Sequence, residues 1–323
     1  ERARGQVASL VGAAPAEVVF TSGGTEANHL ALRGVSDRRV LISAVEHDAV
    51  REAAREATVL PVTPEGVVDL AALERLLAAD ARPTLISIML ANNETGAIQP
   101  IAEAASIAHA VGALFHCDAI QGAGKIPLDM RALGVDMISI SAHKIGGPQG
   151  VGALVVREGL ALSALQRGGG QERGRRAGTE NLPGIVGFGV AAEIAARDSL
   201  PSAEIAGLRD AAETALTGVA PGARVFAQDV PRLPNTLCIG MPGVPASTQV
   251  MALDLAGVMV SAGAACSSGK VRRSHVLTAM GASPEEAESA IRVSLGWSTT
   301  AADIDRLVGA WTALYRRTRS VAA

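Results

Sequence analysis

Two patterns of apolar residues alternate along the first half of the chain. Short β-branched runs, "EVVFTS", "RVLISA", "TLISIML", "ALFHCDA", "MISISA" and "GALVV", recur from Val18 to about Val156. They are apolar without strict alternation, as strands covered on both faces are. Between them, "TEANHLALRG", "DLAALERLLAAD" and "IAEAASIAHAVG" carry apolar residues at spacings of three and four, the period of a helix with one buried face. Strands alternating with helices predict a mostly parallel sheet flanked by helices. Ligands of such sheets bind beyond the C-terminal ends of the strands.

Past Asn181 the pattern changes. "LPGIVGFGVAAEIAARD" predicts a long helix, and Ile205, Leu208, Ala212 and Leu216 mark a second, amphipathic one. "NTLCIGM" and "IRVSLG" read as strands, with helices near "STQVMALDL" and from about Ala302. The expected fold class is α/β, with a large domain over 1–202 and a smaller α+β domain over 203–323. No internal repeat or low-complexity linker interrupts this order.

Composition narrows the function. The formal net charge is −3, with no long basic run, which argues against a nucleic-acid partner. No stretch is long and apolar enough to predict a membrane span, and "ERARGQVASL" lacks a signal-peptide core. The three cysteines, Cys117, Cys238 and Cys266, are widely separated and form no metal-type spacing, so neither a disulfide framework nor a metal site is expected. A reducing cytoplasm is the expected compartment. Only Lys125, Lys144 and Lys270 are lysines among 29 basic residues. Arginine substitutes for lysine on a surface but not as a reactive amine, so each lysine is a candidate for chemistry.

The candidate chemistry follows the strand ends. "VVFTSGGTEAN" turns from a strand through glycines into a helix near Gly24 and Thr25, a geometry that offers backbone N–H groups to an anion. Asp118 ends an apolar strand, where a carboxylate needs a positive partner, a helix cap or a salt bridge. "ISISAHKIGGPQGVG" places Ser141, His143 and Lys144 just past another strand, which suits either a Schiff-base amine beside phosphate ligands or a capped loop with a solvated lysine. Together, an anion cradle, a buried carboxylate and a strand-end lysine describe a site for pyridoxal 5′-phosphate, PLP.

With these residues in place, the chain resembles the cysteine desulfurases, in the NifS-like group I branch of the class V aminotransferase superfamily. The matching stretches are "FTSGGTEAN", "EHDAV", "NNETGAIQPI", "DAIQGAGKIPLD", "SAHKIGGPQGVGAL", "GGGQERGRRAGTENLPGIVG", "SAGAACSSG", "SHVL" and "IRVSLG", in the family's order over nearly the whole chain. The resemblance implies PLP fold type I and conversion of L-cysteine to L-alanine, with sulfur passing to an enzyme persulfide and then to an acceptor protein for the synthesis of iron–sulfur clusters or other sulfur-containing biomolecules. It implies that Lys144 forms the Schiff base, that Asp118 pairs with the pyridine nitrogen, and that Gln121 bonds the ring hydroxyl. His47 would stack on the ring and, as a catalytic residue, help move protons. Gly24, Thr25, Ser141 and His143 would hold the phosphate, as would Thr179 from the neighbouring subunit of a homodimer. Asn93 and Arg292 would bind the substrate.

Cys266, among small residues, is the expected nucleophile, with Lys270, Arg272 and Arg273 favouring its thiolate. Cys117 and Cys238 read as packing residues in strands. Related readings are a selenocysteine lyase, another class V aminotransferase, or an inactive scaffold of a sulfur-transfer assembly. Relatives carry roughly fifty more N-terminal residues than this chain, a family-level expectation set against the usual domain length.

Overall fold

The computed structural model describes residues 1–197, 202–263 and 273–321. Two compact units divide the chain. The first comprises Glu1–Pro61, Val68–Ala91 and Gln99–Ser199, and the second Val62–Val67, Asn92–Ile98 and Leu200–Ala323. The second unit thus takes up two short stretches from far up the chain, which no continuous division of the sequence includes.

The first unit is built on a seven-stranded sheet. Its strands are β1 (Val18–Thr21), β2 (Arg39–Ser43), β3 (Thr58–Leu60), β4 (Thr84–Met89), β5 (Leu114–Asp118), β6 (Met137–Ser141) and β7 (Gly152–Val156). They lie in the order β1-β7-β6-β5-β4-β2-β3. The pairings from β6 to β3 are parallel, and β7 runs antiparallel to both of its neighbours. The six strand-like runs of the sequence are all present. β3 is an addition: it is three residues long and its first two side chains are exposed, so it carries no apolar run to read.

Helices cover both faces of this sheet: α1 (Arg2–Leu10), α2 (Gly24–Arg33), α3 (Asp48–Arg51), α4 (Leu70–Ala78), α5 (Ile101–Ala110), α6 (Met130–Leu133) and α7 (Leu182–Arg197). On one face Ile86, Ile88, Phe115, Cys117, Ile138 and Ile140 pack with Val7, Leu73, Ile101 and Phe188. On the other, Leu85, Leu114, Met137 and Leu154 pack with Ala27, Leu30 and Val50. The twofold alternation of strand side chains therefore puts Leu114, His116 and Asp118 on the α2 face of β5, and Phe115 and Cys117 on the opposite face. Cys117 is fully buried in the core with Phe115 and Phe188, as a packing residue would be.

The second unit holds a four-stranded antiparallel sheet, in the order β10-β11-β9-β8. Its strands are β8 (Arg224–Val225), β9 (Thr236–Gly240), β10 (Ser261–Ala262) and β11 (Ala290–Ser294). The helices are α8 (Ser202–Val219), α9 (Ala246–Leu255), α10 (His275–Ala279), α11 (Pro284–Ser289) and α12 (Ala301–Val321). Leu216, Leu237, Ile239, Ile291 and Trp311 form its core, where the Trp311 indole donates to Gln249 Oε1 at 3.2 Å. Cys238 is fully buried in β9.

Candidate active site

In the first unit the expected residues gather at the C-terminal ends of parallel strands. β1 runs into Ser22 and Gly23, and α2 begins at Gly24 with no side-chain cap. Its first-turn amides are therefore available to an anion beside the exposed Thr25 hydroxyl. The turn lies close against β6 and β7. A Cβ on Gly152 of β7 would stand 2.7 Å from the Gly23 carbonyl carbon and 2.9 Å from the Ile140 carbonyl oxygen. A Cβ on Gly24 would stand 3.5 Å from that of Ser141, so the cradle and the end of β6 adjoin.

Asp118, at the end of β5, is 4% exposed. Its Oδ2 accepts from the Asn28 amide at 2.7 Å and its Oδ1 from the Ile120 N–H at 3.0 Å. Burial pushes the carboxyl upward; the two hydrogen bonds, then the nearby His47 and Lys144 side chains, pull the other way. Asn28 was not legible as a site residue. The available signal was a polar residue on the buried face of an amphipathic helix, three positions after Thr25.

β6 ends at the buried Ser141, whose Oγ lies 2.9 Å from His143 Nδ1. A single 3-10 turn, Ala142–Lys144, then carries His143 and Lys144 into exposed positions. Burial, then the neighbouring lysine, lowers the His143 imidazole's proton affinity. Gln121 is half-buried, and its Oε1 accepts from Lys125 Nζ at 2.8 Å. An ammonium only donates, so the Gln121 amide nitrogen is the end left to donate elsewhere.

His47 caps α3: its Nδ1 accepts from the Ala49 N–H at 3.0 Å, which fixes the neutral tautomer with the proton on Nε2. The ring itself is exposed. The site thus has two tiers, with exposed Thr25, His47, His143 and Lys144 above buried Asp118, Asn28 and Ser141.

Thr179 is exposed, three residues before α7. It borders a small cavity with Thr21, Ser22 and Arg176. The loop before it is pinned by the buried Glu172, which accepts two hydrogen bonds from Arg4 at 2.8 Å and one from the Phe20 N–H at 2.9 Å.

The second unit brings Asn93 and Arg292 together. Arg292 Nη1 donates to the Asn93 carbonyl at 2.8 Å and Nη2 to Ser261 Oγ at 3.3 Å, while its Nε is buried with no hydrogen bond among the described residues. Cys266, Lys270 and Arg272 lie outside the described residues. Arg273 pairs with Glu288 at 2.9 Å. Burial pushes both other thiols, Cys117 and Cys238, well above the usual range.

PLP fits the residues of the first unit. A buried carboxylate whose remaining compensation is one amide and one N–H accommodates a protonated ring nitrogen. The glycine turn supplies an anion cradle of the kind a phosphate uses. An exposed amine stands at the end of the next strand.

The aminotransferase class-V family matches residues 1–307. A cysteine desulfurase of Cereibacter sphaeroides is 46% identical over 320 residues, 95% of this chain and 82% of that protein. One from Sinorhizobium fredii is 43% identical over 333 residues, 98% of this chain and 85% of that protein. Among solved structures, a NifS-like protein from Rickettsia africae superposes with a TM-score of 0.91 at 37% identity, covering 98% of this chain and 87% of that one.

Proposed function

The chain belongs to the aminotransferase class-V family, and from that premise we propose how it works as a PLP-dependent cysteine desulfurase. The observation that carries the reading is Asp118, buried at the end of β5 and held by Asn28, with the exposed Lys144 at the end of the adjacent β6. Asp118 would face the ring nitrogen and Gln121 the ring oxygen through its amide nitrogen. The first turn of α2, from Gly24 and Thr25, would hold the phosphate with Ser141 and His143. When bound, the cofactor supplies an electron sink for the substrate carbanion.

The protein's own groups perform the rest. Arg292, held by Asn93 and Ser261, grips the α-carboxylate of L-cysteine. Lys144 takes the Cα proton. The Cys266 thiolate attacks the substrate sulfur: an S–S bond forms, the C–S bond breaks, and the carbon keeps the electron pair and is protonated to alanine. The persulfide sulfur then passes to an acceptor protein. Assignment of this step to Cys266 is supported by the state of the other thiols, both fully buried and hard to ionise.

A homodimer is supported by α7. Leu182, Val186, Val190 and Ile194 repeat every four residues and are 66%, 53%, 48% and 49% exposed, an apolar stripe directly after Thr179. We assign the reaction to the cytoplasm, where thiols stay reduced. No described helix is long and apolar enough to cross a membrane.

Incubation with L-cysteine, PLP and a thiol reductant should give alanine and sulfide in equal amounts. Cys266→Ala should abolish both while the cofactor's visible band persists. Absence of alanine from the wild type overturns the reaction assignment, and undiminished sulfide from the variant overturns the role of Cys266.

A further inference from the structure

β2 leaves the sheet early. Its pairing with β4 ends at Ile42 opposite Ser87, and Ala44 then donates to Leu60 of β3 instead. β4 continues two residues further, to Met89. The Leu90 N–H turns toward β5, where it meets the Asp118 carbonyl at 2.8 Å. By the alternation of a parallel strand, the Met89 N–H points the other way, toward the place β2 has vacated. A buried N–H there requires an acceptor.

Glu46 is that acceptor. Its Oε1 receives the Met89 N–H at 2.8 Å and the Ser43 hydroxyl at 2.7 Å, and the side chain is 0% exposed. A carboxyl group buried at this depth in a sheet is costly, yet it sits one residue before His47. Met89 is also the register partner of Asp118. The carboxyl therefore ties three things at one point: the end of β2, the end of β4 beside Asp118, and the turn that presents the His47 ring. His47 is fixed on its other side by its own cap on Ala49.

The geometry points to Glu46 as a positioning residue for His47, bracing the turn that carries the imidazole against the end of β4. This rests on the reading that His47 contacts PLP. The brace works with a neutral acid. Burial holds the Glu46 carboxyl up to about 8, with the Asp118 charge adding to the effect and Ser43 and the Met89 N–H opposing it. The titratable groups facing this region are Asp118 and Cys117 from β5, with His47 and Lys144 acting on Asp118. Ionisation of Glu46 at alkaline pH sets a second negative charge beside Asp118.

The test is a double-mutant cycle on the full-length protein, reading PLP affinity from the visible band and alanine formation from L-cysteine. Glu46→Ala alone should weaken PLP binding about tenfold; on a His47→Ala background the same change should cost less than about twofold, because the group it positions is gone. Glu46→Gln keeps an acceptor for Met89 but cannot ionise. It should bind PLP as the wild type does near neutrality and lack the loss of affinity expected of the wild type above pH 8. If Glu46→Ala does not fold, Glu46→Gln alone decides through that pH profile. Equal, multiplying losses with and without His47, or an alkaline limb unchanged in Glu46→Gln, overturns the assignment. A wild type that binds no PLP overturns the functional reading instead, so the two failures are distinguishable.

Discussion

Acid should destabilise the first unit through one side chain, His116. Its ring crosses three strands: Nδ1 lies 2.8 Å from Ser87 Oγ on β4 and Nε2 lies 2.9 Å from Ser139 Oγ on β6. All three residues are fully buried. Burial lowers the imidazole from 6.5 to about 3, so the folded protein keeps it neutral throughout mild acid. The unfolded chain takes up the proton at 6.5. Below that pH the unfolded state binds more protons than the folded one, so stability falls as pH falls, and it stops falling near pH 3. A span of about 3.5 pH units at about 1.4 kcal/mol each gives about 5 kcal/mol in all, of which about 2 kcal/mol is lost by pH 5.

His116→Gln removes the titration but keeps an amide that can donate and accept. It should be about 1–3 kcal/mol less stable at pH 7.5, because the three-strand bridge is imperfectly replaced. Its stability should then decline less steeply with acid, so the gap narrows as the pH drops. Both tryptophans, Trp297 and Trp311, belong to the second unit, so their fluorescence would follow the wrong core. Amide hydrogen exchange of peptides covering β4, β5 and β6, at steps from pH 7.5 to 4.5 and corrected for intrinsic rates, reads the right one. Parallel wild-type and His116→Gln curves would refute the reasoning.

Two further outcomes follow from the same core. Glu46 acts with the opposite sign: its folded value of about 8 lies above the unfolded 4.5, so its contribution is full below 4.5 and is lost as pH rises to 8. Apoprotein of Glu46→Gln should therefore gain on the wild type by up to about 5 kcal/mol between pH 4.5 and 8 by the same exchange measurement, and a constant difference across that range would contradict a buried neutral acid. Gly152→Ala would place a Cβ 2.7–2.9 Å from backbone atoms of Gly23 and Ile140, where about 3.5 Å or more is normal. It should cost about 1–3 kcal/mol and weaken PLP binding by spreading the turn before α2; unchanged melting and unchanged affinity would remove the close packing from the account of the cradle.

The sequence pattern and the structure part company in an ordered way. Strands β1, β2 and β4 to β7 were legible because each is a short, largely apolar run that is buried over most of its length. α2, α4, α5 and α7 were legible from their spacing. α1 was not: it packs on α7 through small residues, with Gly189 so close to Ala3 that a Cβ would stand 2.6 Å from its Cα. Glycine against alanine leaves no stripe of large side chains to read. β3 and the two short stretches claimed by the second unit were missed because they gain their place from contacts distant in sequence.

The site divides along the same line. Thr25 and Lys144 stood out as candidates because a hydroxyl and an amine just past strand ends are chemical types written in the sequence, whereas His47 and Arg292 stood out only through the family resemblance. Asn28, Glu46, Ser87, His116 and Ser139 were missed because each is polar only for the sake of a neighbour. Nothing local distinguishes His116 in "FHCDA" from a histidine at a surface, nor Glu46 in "VEHDAV" from a solvated acid. What fixes them is the parallel register, which sets Ser87 beside His116 and Met89 beside Asp118. Once β2 ends at Ser43, that register leaves the Met89 N–H to Glu46, so the point at which one strand stops decides where a carboxylic acid is needed.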